Sequence, residues 1–495
     1  MSKQKRSPIV VVMGHIDHGK SSLLDYIRQT NVTAGEAGGI TQAVSAYEAD
    51  GLTFLDTPGH EAFSGIRERG ASIADLAILI VSAEEGVKAQ TLETLAQIQA
   101  ANIPFIVAIN KIDRPNANAN LVKQQLAEKN LLLEGYGGTV PVAEISAKTG
   151  AGVPELLELL HLLAEMQNLT ADSAAPAQGF VLEAHMDHRA GVTTTLIIKD
   201  GTLQTGSFIL IGNDLSKIKR LNNFKGEMVR SLGPASPAQV VGLAALPTVG
   251  ASFVAYAGKV EAEKALAESV TPEKNQHKTA ENNQANTNQE TKNNQTEVPV
   301  ILKADVLGSL EALKKEVLKL GSDLVRIKIL SEGVGRINEN EVKQAGSARG
   351  AIILGFNVAR ENSVNELAEK LGVEIATFEI IYKLSEWLAE QLKLRTPKQE
   401  VVTTLGRAKL LKIFSATRER QIVGGVVTEG QIALGKTIKI LRRDNEIARG
   451  KIVELQEQKL PTKEVGADRQ FGAAVEVKVA LVAGDVIEAI TVVQS

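Results

Sequence analysis

Gly14-His15-Ile16-Asp17-His18-Gly19-Lys20-Ser21, with Ser22 after it, holds the residue types that grip a polyphosphate. The two glycines let backbone N–H groups curl around phosphate oxygens, Lys20 brings a cation to the terminal ones, and the Ser21 hydroxyl is placed to ligate Mg²⁺. An apolar run, Ile9 to Met13, precedes the loop and a helical pattern (Leu23, Leu24, Ile27) follows it. Strand, glycine loop and helix thus come in P-loop order, and the spacing predicts that Gly14 through Ser22 surround the phosphates of a nucleoside triphosphate.

The base is addressed by Asn110-Lys111-Ile112-Asp113, directly after the apolar run Ile106 to Ile109. Such a run reads as a buried parallel strand. The Asp113 carboxylate can accept both the ring N–H and the exocyclic amino group of guanine. Adenine offers neither, and a site built for such hydrogen bonds rejects a ligand lacking them by roughly 10⁴-fold. Asn110 is expected to brace the loop and Lys111 to lie over the base plane. Ser146-Ala147-Lys148, after the strand Val140 to Ile145, adds a backbone donor for the guanine oxygen, although alone it reads more readily as a strand-end turn. The expected ligand is GTP or GDP.

Leu52 to Asp56 reads as a strand ending in a carboxylate, followed by Thr57-Pro58-Gly59-His60. Asp56 would contact Mg²⁺ through its coordination shell, and the Gly59 N–H could approach the terminal phosphate. Upstream, Gly35 to Gln42 is too glycine-rich for a stable helix and offers Thr41 as a second hydroxyl ligand, so Ser21, Thr41 and Asp56 form the expected metal set. Both segments would be ordered by the γ-phosphate and released on hydrolysis. His60 is assigned the positioning of the attacking water, and His15 and His18 a structural role. With no arginine finger evident, intrinsic turnover is expected on the order of 10⁻² s⁻¹ or less until a partner completes the site.

Taken together, GHIDHGKSSLLDYIR, GEAGGITQ, FLDTPGHEAF and NKID resemble the translational GTPases, and GEAGGITQ is the segment most particular to bacterial-type translation initiation factor 2. VILKADVLGSLEAL (Val300 to Leu313), GVGRINENE (Gly333 to Glu341), ILGFNV (Ile353 to Val358) and VVTEG (Val426 to Gly430) resemble that family in the same order. The resemblance implies a factor that brings initiator tRNA to the small ribosomal subunit, promotes subunit joining, and hydrolyses GTP when the large subunit engages the switches. It also implies that Ile16 and Ile40 form an apolar gate beside His60. An elongation-type carrier of aminoacyl-tRNA and a non-catalytic GTP-gated scaffold share the GTPase module and stand as alternatives. Two departures are visible. The first apolar run begins at Ile9, which matches a short form without the long amino-terminal extension of many members, so functions resident there are expected to be absent. Where the family shows Glu-Cys-Gly in its pocket for the formylated methionine, this chain reads Arg469-Gln470-Phe471-Gly472. Either that pocket is rebuilt or the contact is weakened.

At 495 residues with a formal charge of −3, the chain exceeds a single core and is not drawn to nucleic acid by its net charge. Local basic stretches (Lys217, Lys219, Arg220, Lys225; Arg442, Arg443) could serve the ribosome or be solvated faces. The absence of cysteine rules out disulfides and thiolate metal sites and fits a reducing cytoplasm. The factor is expected to be a monomer off the ribosome. No apolar run approaches the roughly 20 residues a bilayer-spanning helix needs.

Alternating strands and amphipathic helices predict a doubly wound P-loop GTPase domain over residues 1–170. Short β-rich runs between glycine turns predict a β-barrel over 176–268. Residues 269–297 read as a flexible linker, since Thr271 to Glu297 holds seven asparagines and four glutamines with only alanine as apolar content. A small α/β domain (298–378), a connecting helix (379–398) with Ile380, Ile381, Leu384, Trp387, Leu388 and Leu392 on one face, and a second β-barrel (399–495) for initiator tRNA complete the multidomain α/β and β architecture. The form of Asp200 to Gly206 recurs at Glu429 to Gly435, which suggests that the two barrels share a hairpin.

Overall fold

The computed structural model describes residues 3–29, 44–187, 189–270, 296–322, 324–395, 400–416, 420–443 and 445–494, and they fall into two compact units, 1–395 and 396–495. Thr41, Ile40 and most of the expected linker lie outside the described residues.

The first sheet has six strands: β1 (Ile9–Gly14), β2 (Ser45–Ala49), β3 (Leu52–Asp56), β4 (Leu76–Ser82), β5 (Phe105–Asn110) and β6 (Val142–Glu144), in the order β2-β3-β1-β4-β5-β6. All neighbours are parallel except β2, which pairs antiparallel to β3. Helices α1 (Lys20–Arg28), α2 (Ser64–Ile73), α3 (Ala89–Ala100), α4 (Ala119–Glu128) and α5 (Val153–Met166) supply the crossovers and the close of the domain. Covering both faces explains the unbroken apolar runs. Successive strand residues point to opposite faces, so Ile9, Val11 and Met13 enter one core while Val10 and Val12 enter the other. A parallel sheet of this kind places ligands beyond the carboxyl ends of its strands, where the loops after β1, β3, β5 and β6 meet.

Residues 178–256 form a seven-stranded antiparallel sheet whose two longest strands, Gln178–Asp187 and Gly191–Asp200, make its central hairpin. Its turn Asp200 to Gly206 uses Gly201 (φ 77°) and Gly206 (φ 89°), and the later turn uses Gly430 (φ 66°) and Gly435 (φ 81°). The repeat in sequence is therefore a repeat of two left-handed backbone positions, which glycine adopts without a Cβ clash. Helix α6 (Lys259–Val270) follows.

A four-stranded parallel sheet then orders Val325–Val334, Thr296–Ala304, Ile352–Phe356 and Glu374–Phe378, with α7 (Leu307–Lys319), α8 (Glu339–Gly346) and α9 (Val364–Leu371) between its strands. Asn338 and Glu341 form a reciprocal cap at the start of α8. Helix α10 (Ile381–Arg395) buries Ile381, Leu384, Leu388 and Leu392, the stripe legible in the sequence. These side chains share one core with Val300, Leu302 and Leu313, and with Ala62, Phe63 and Ile66 of the GTPase domain. The second unit is a closed barrel of six strands, Glu400–Ala416 pairing with both Val486–Gln494 and Arg420–Ala433 to complete the ring.

Polar contacts tie the first barrel to the GTPase domain. Asp75, nearly buried before β4, accepts from Arg6 (2.6 and 2.7 Å), from the Ile9 N–H (2.8 Å) and from Lys199 of the barrel (2.7 Å), while the Thr53 hydroxyl donates to the Ala235 carbonyl (2.8 Å). Burial pushes the Asp75 carboxyl up, but the hydrogen bond from Arg6 and the charge of Lys199 outweigh it and hold it below the ordinary carboxylate value. Replacing Asp75 by alanine strands Arg6 and Lys199 and should destabilise the first unit by about 3–5 kcal/mol in denaturant titration. Because the folded carboxyl titrates below its unfolded value, its contribution is complete above the ordinary carboxylate range and fades as pH falls through the folded value. The gap between wild type and Asp75→Ala should therefore be constant near neutrality and close only in acid.

Candidate nucleotide-binding site

The loop after β1 is held open by backbone conformations that few residues adopt. Asp17 (φ 61°) and Gly19 (φ 90°) both lie in the left-handed region, and Gly19 is the N-cap of α1 with no side chain bonded to the helix end. With glycine at the N-cap the helix end is not capped by the side chain of its own N-cap residue, and a helix N-terminus of this kind suits a phosphate. A Cβ on Gly19 would run into the Asn110 amide.

Lys20 is buried, and its ammonium donates to the carbonyls of Gly14 (3.1 Å) and His15 (2.7 Å). Burial pulls its pKa down to about 8 against the opposing charge of nearby Asp56. A cation lowered by burial gains from an anion delivered to it, so the loop fits a polyphosphate. Gly59 sits over this ammonium, and any Cβ there would meet Lys20 Nζ, the Ile16 N–H and the Gly14 carbonyl. Close approach therefore demands glycine at position 59. Thr57 is buried and donates to the Val12 carbonyl (2.9 Å), fixing the start of the turn to the end of β1, and Pro58 is buried beside it.

His18 is fully buried with its ring edge against His15 (4.8 Å between centroids), and burial, aided by His15, lowers its pKa to about 4. It is a neutral structural imidazole at physiological pH. His15 and Ile16 are half-buried and both meet the Gln90 amide oxygen, whereas Asp17 and Ser22 are exposed.

The loops after β1, β5 and β6 are stitched together by one amide. Asn110 Nδ2 donates to the His18 carbonyl (2.9 Å), and its Oδ1 accepts from the Ala147 N–H (2.9 Å). The Ser146 hydroxyl donates to Asp113 (2.7 Å), and that bond holds the exposed Asp113 carboxyl below its ordinary value. Asp113 is thereby ionised and aimed from a braced loop. Lys111 has positive φ (68°) and its ammonium pairs with Glu85 (3.0 Å), a partner the sequence did not suggest; Lys148 is exposed.

Ser21 and Asp56 carry oxygens of the kind a hard cation takes, Asp56 being buried at the end of β3 close enough to Lys20 to act on its charge. The donor set fits Mg²⁺. Thr41, the third expected ligand, lies outside the described residues.

His60 is 7% exposed, and its Nδ1 accepts the Ala62 N–H (2.8 Å), capping a short 3₁₀ turn. Beneath this turn lies Arg67, which sequence reasoning missed. It is fully buried; Nη1 donates to the carbonyls of Pro58 (3.4 Å), Gly59 (3.2 Å) and His60 (2.5 Å), and Nη2 to Glu93 of α3 (2.6 Å). The signal was present: Ile66, Gly70, Ala71 and Ile73 mark the buried face of α2, and Arg67 falls within it.

In the second barrel a groove of ≈ 550 Å³ is lined by Phe414, Ile422, Gly424, Gly425, Gln470 and Phe471 among others. Phe471, 4% exposed, belongs to the barrel core, and the missing side chain of Gly425 makes room for its ring. Arg469 turns instead to Glu457 (3.1 Å), and of the basic pair Arg442-Arg443, Arg442 is clamped by Asp485 through two 2.8 Å bonds.

Phosphate loop, guanine-type loops and sheet define the class: residues 5–166 match the family model described as Elongation factor Tu GTP binding domain. Residues 176–256 match Elongation factor G domain 2, and residues 272–389 match Translation-initiation factor 2. Translation initiation factor IF-2 of Carboxydothermus hydrogenoformans is 39% identical over 99% of this chain and 60% of its own length. Its counterparts in Clostridium perfringens and Rubrobacter xylanophilus are 39% and 36% identical, with 73% and 72% of their lengths covered. The chain therefore belongs to the translation initiation factor IF-2 family, and it spans between about three fifths and three quarters of the length of these relatives. A solved structure titled GDP-bound aIF5B from Aeropyrum pernix aligns at 26% identity over 98% of this chain and 92% of that one, with a TM-score of 0.46.

Asn110→Ala removes both ends of the amide stitch. With each net hydrogen bond worth about 1 kcal/mol, calorimetric titration with GDP should show affinity reduced roughly 10–100-fold, with the melting temperature little changed.

Proposed function

We propose that this chain is a translation initiation factor that binds GTP with Mg²⁺ and hydrolyses it on the ribosome, promoting initiator tRNA binding to the small subunit and subunit joining. The observation that carries the nucleotide half is the Asn110 amide, which joins the phosphate loop to the loops expected to read guanine. Family membership over nearly the whole chain supports the translational half. In this reading Gly14 through Ser22 cradle the phosphates, Lys20 neutralises their terminal oxygens, and Gly59 offers its N–H. Asp113 reads the base, with Ser146, Ala147 and Lys148 beside it. Ser21, Thr41 and Asp56 would hold Mg²⁺, which when bound neutralises charge on the phosphate oxygens. His60 aligns the water that attacks the γ-phosphorus. An elongation-type carrier is disfavoured by residues 272–389, which match the initiation-factor model.

No described helix is long and apolar enough to cross a membrane. The proposed factor works in the cytoplasm, as a monomer off the ribosome. The groove over Phe471 is assigned to the acylated end of initiator tRNA, with the bulky ring taken into the core rather than left in the ligand's path.

His60→Ala should bind GDP and GTP as wild type does yet lose at least about 100-fold of ribosome-stimulated phosphate release, the usual contribution of a positioned catalytic group. Unchanged multiple-turnover release would remove His60 from the mechanism, and no release by wild type would favour the scaffold. Separately, Gly425→Val drives a branched side chain against the Phe471 ring and the Lys409 carbonyl. Filter binding should then show initiator tRNA affinity lowered roughly 10-fold or more while GTP affinity stays constant.

A further inference from the structure

The two nitrogens of His60 are in different situations. Nδ1 accepts the Ala62 N–H, so the proton of the neutral ring resides on Nε2. Nε2 is buried from solvent and has no hydrogen-bond partner. It is also the only ring nitrogen left to meet a water molecule. As arranged here, the side chain assigned to water positioning has its working atom shut away from water.

The cover is partly aromatic. The ring of Tyr382, in the first turn of α10, lies 4.0 Å from the His60 ring between centroids at an interplanar angle of 40°, and Phe63 closes another side edge-on at 5.9 Å. Phe63 is a fixed part of the core. Tyr382 differs: it is 45% exposed, stands beside the buried stripe of α10, and comes from a part of the chain remote from the GTPase domain. Burial, followed by the charges of Glu316, Asp17 and Glu61, pushes its phenol above the ordinary value. The surrounding seam is closed by Lys319 to Glu61 (2.9 Å), Lys315 to the Ser64 hydroxyl (2.6 Å) and Arg69 to Glu311 (2.6 Å).

We infer that Tyr382 is a positioning residue for His60, holding the imidazole in a resting pose from which it does not reach water until α10 and the seam beneath it shift. The inference rests on the assignment of His60 to GTP hydrolysis. In that reaction a water oxygen bonds to the γ-phosphorus as the bond to the bridging oxygen of GDP breaks, and the water proton leaves with inorganic phosphate. Tyr382 touches none of these atoms. Its effect is on how often His60 is available to align the water.

The test is single-turnover GTP hydrolysis by the full chain without ribosomes. Aromatic contacts of this type limit the expected gain to roughly 3–10-fold for Tyr382→Ala. Tyr382→Phe, which keeps the ring, should return the rate to within about 2-fold of wild type, well inside that gain. Adding His60→Ala to Tyr382→Ala should abolish the gain, a result that general loosening of the fold would not give. A Tyr382→Ala rate equal to or below wild type, with GTP affinity intact by calorimetry, overturns the inference, as does a gain that persists without His60. Failure of the underlying functional reading would look different: His60→Ala alone would leave ribosome-stimulated release untouched.

Discussion

A single buried guanidinium organises the turn that the site depends on. Arg67 has almost no contact with water, and a charge so placed is tolerable only where hydrogen bonds replace its hydration. It finds them in three consecutive carbonyls, those of Pro58, Gly59 and His60, and in Glu93. Those carbonyls belong to the turn that leads into the 3₁₀ segment, where the His60 carbonyl also accepts the Phe63 N–H (3.0 Å), and the arginine ties all three to one group. Gly59 is thereby pinned above the Lys20 ammonium and His60 at the start of the 3₁₀ turn.

The same segment is fastened from its other side. Ala62, Phe63 and Ile66 are members of the core built by the four-stranded parallel sheet and α10. Close-packed cores shift between discrete arrangements rather than deforming smoothly. Movement of the turn after β3 is consequently tied to movement of the α/β layer that covers it. The polar rim repeats this link, because Glu183 of the first barrel accepts the Gly308 N–H (3.2 Å) at the start of α7, whose own N-cap, Val306, offers no acceptor. Burial raises the Glu183 carboxyl to about 7 despite that bond. Barrel, α7 and α2 thus meet around one buried carboxyl, with Glu183 and Ile66 both against Gly308.

Much of this was legible before any coordinates. The phosphate loop, the Asn110 to Asp113 loop and the Ser146 to Lys148 turn are contiguous motifs whose spacing is set by the ligand, so they can be read locally. The strands behind them were equally plain, because a sheet covered on both faces requires unbroken apolar runs. The α10 stripe was visible from its period, and the paired glycine turns of the two barrels from their shared spacing. Lys111 shows the limit of such reading: its type and place suggested a role over the base, and the fold adds an ion pair with Glu85, an interaction between separate loops.

What the sequence determined alone was the set of chemical groups and the local backbone able to present them, since glycine positions, strand runs and helix faces follow from neighbours along the chain. What tertiary structure decided was which groups restrain one another. Arg67 under the turn, Asp75 between Arg6 and Lys199, Tyr382 against His60 and Phe471 inside its barrel all join residues whose separation in sequence carries no periodic signal. Those contacts come from packing whole layers together, and packing depends on shape and volume across the assembled core, which no local pattern of residues specifies.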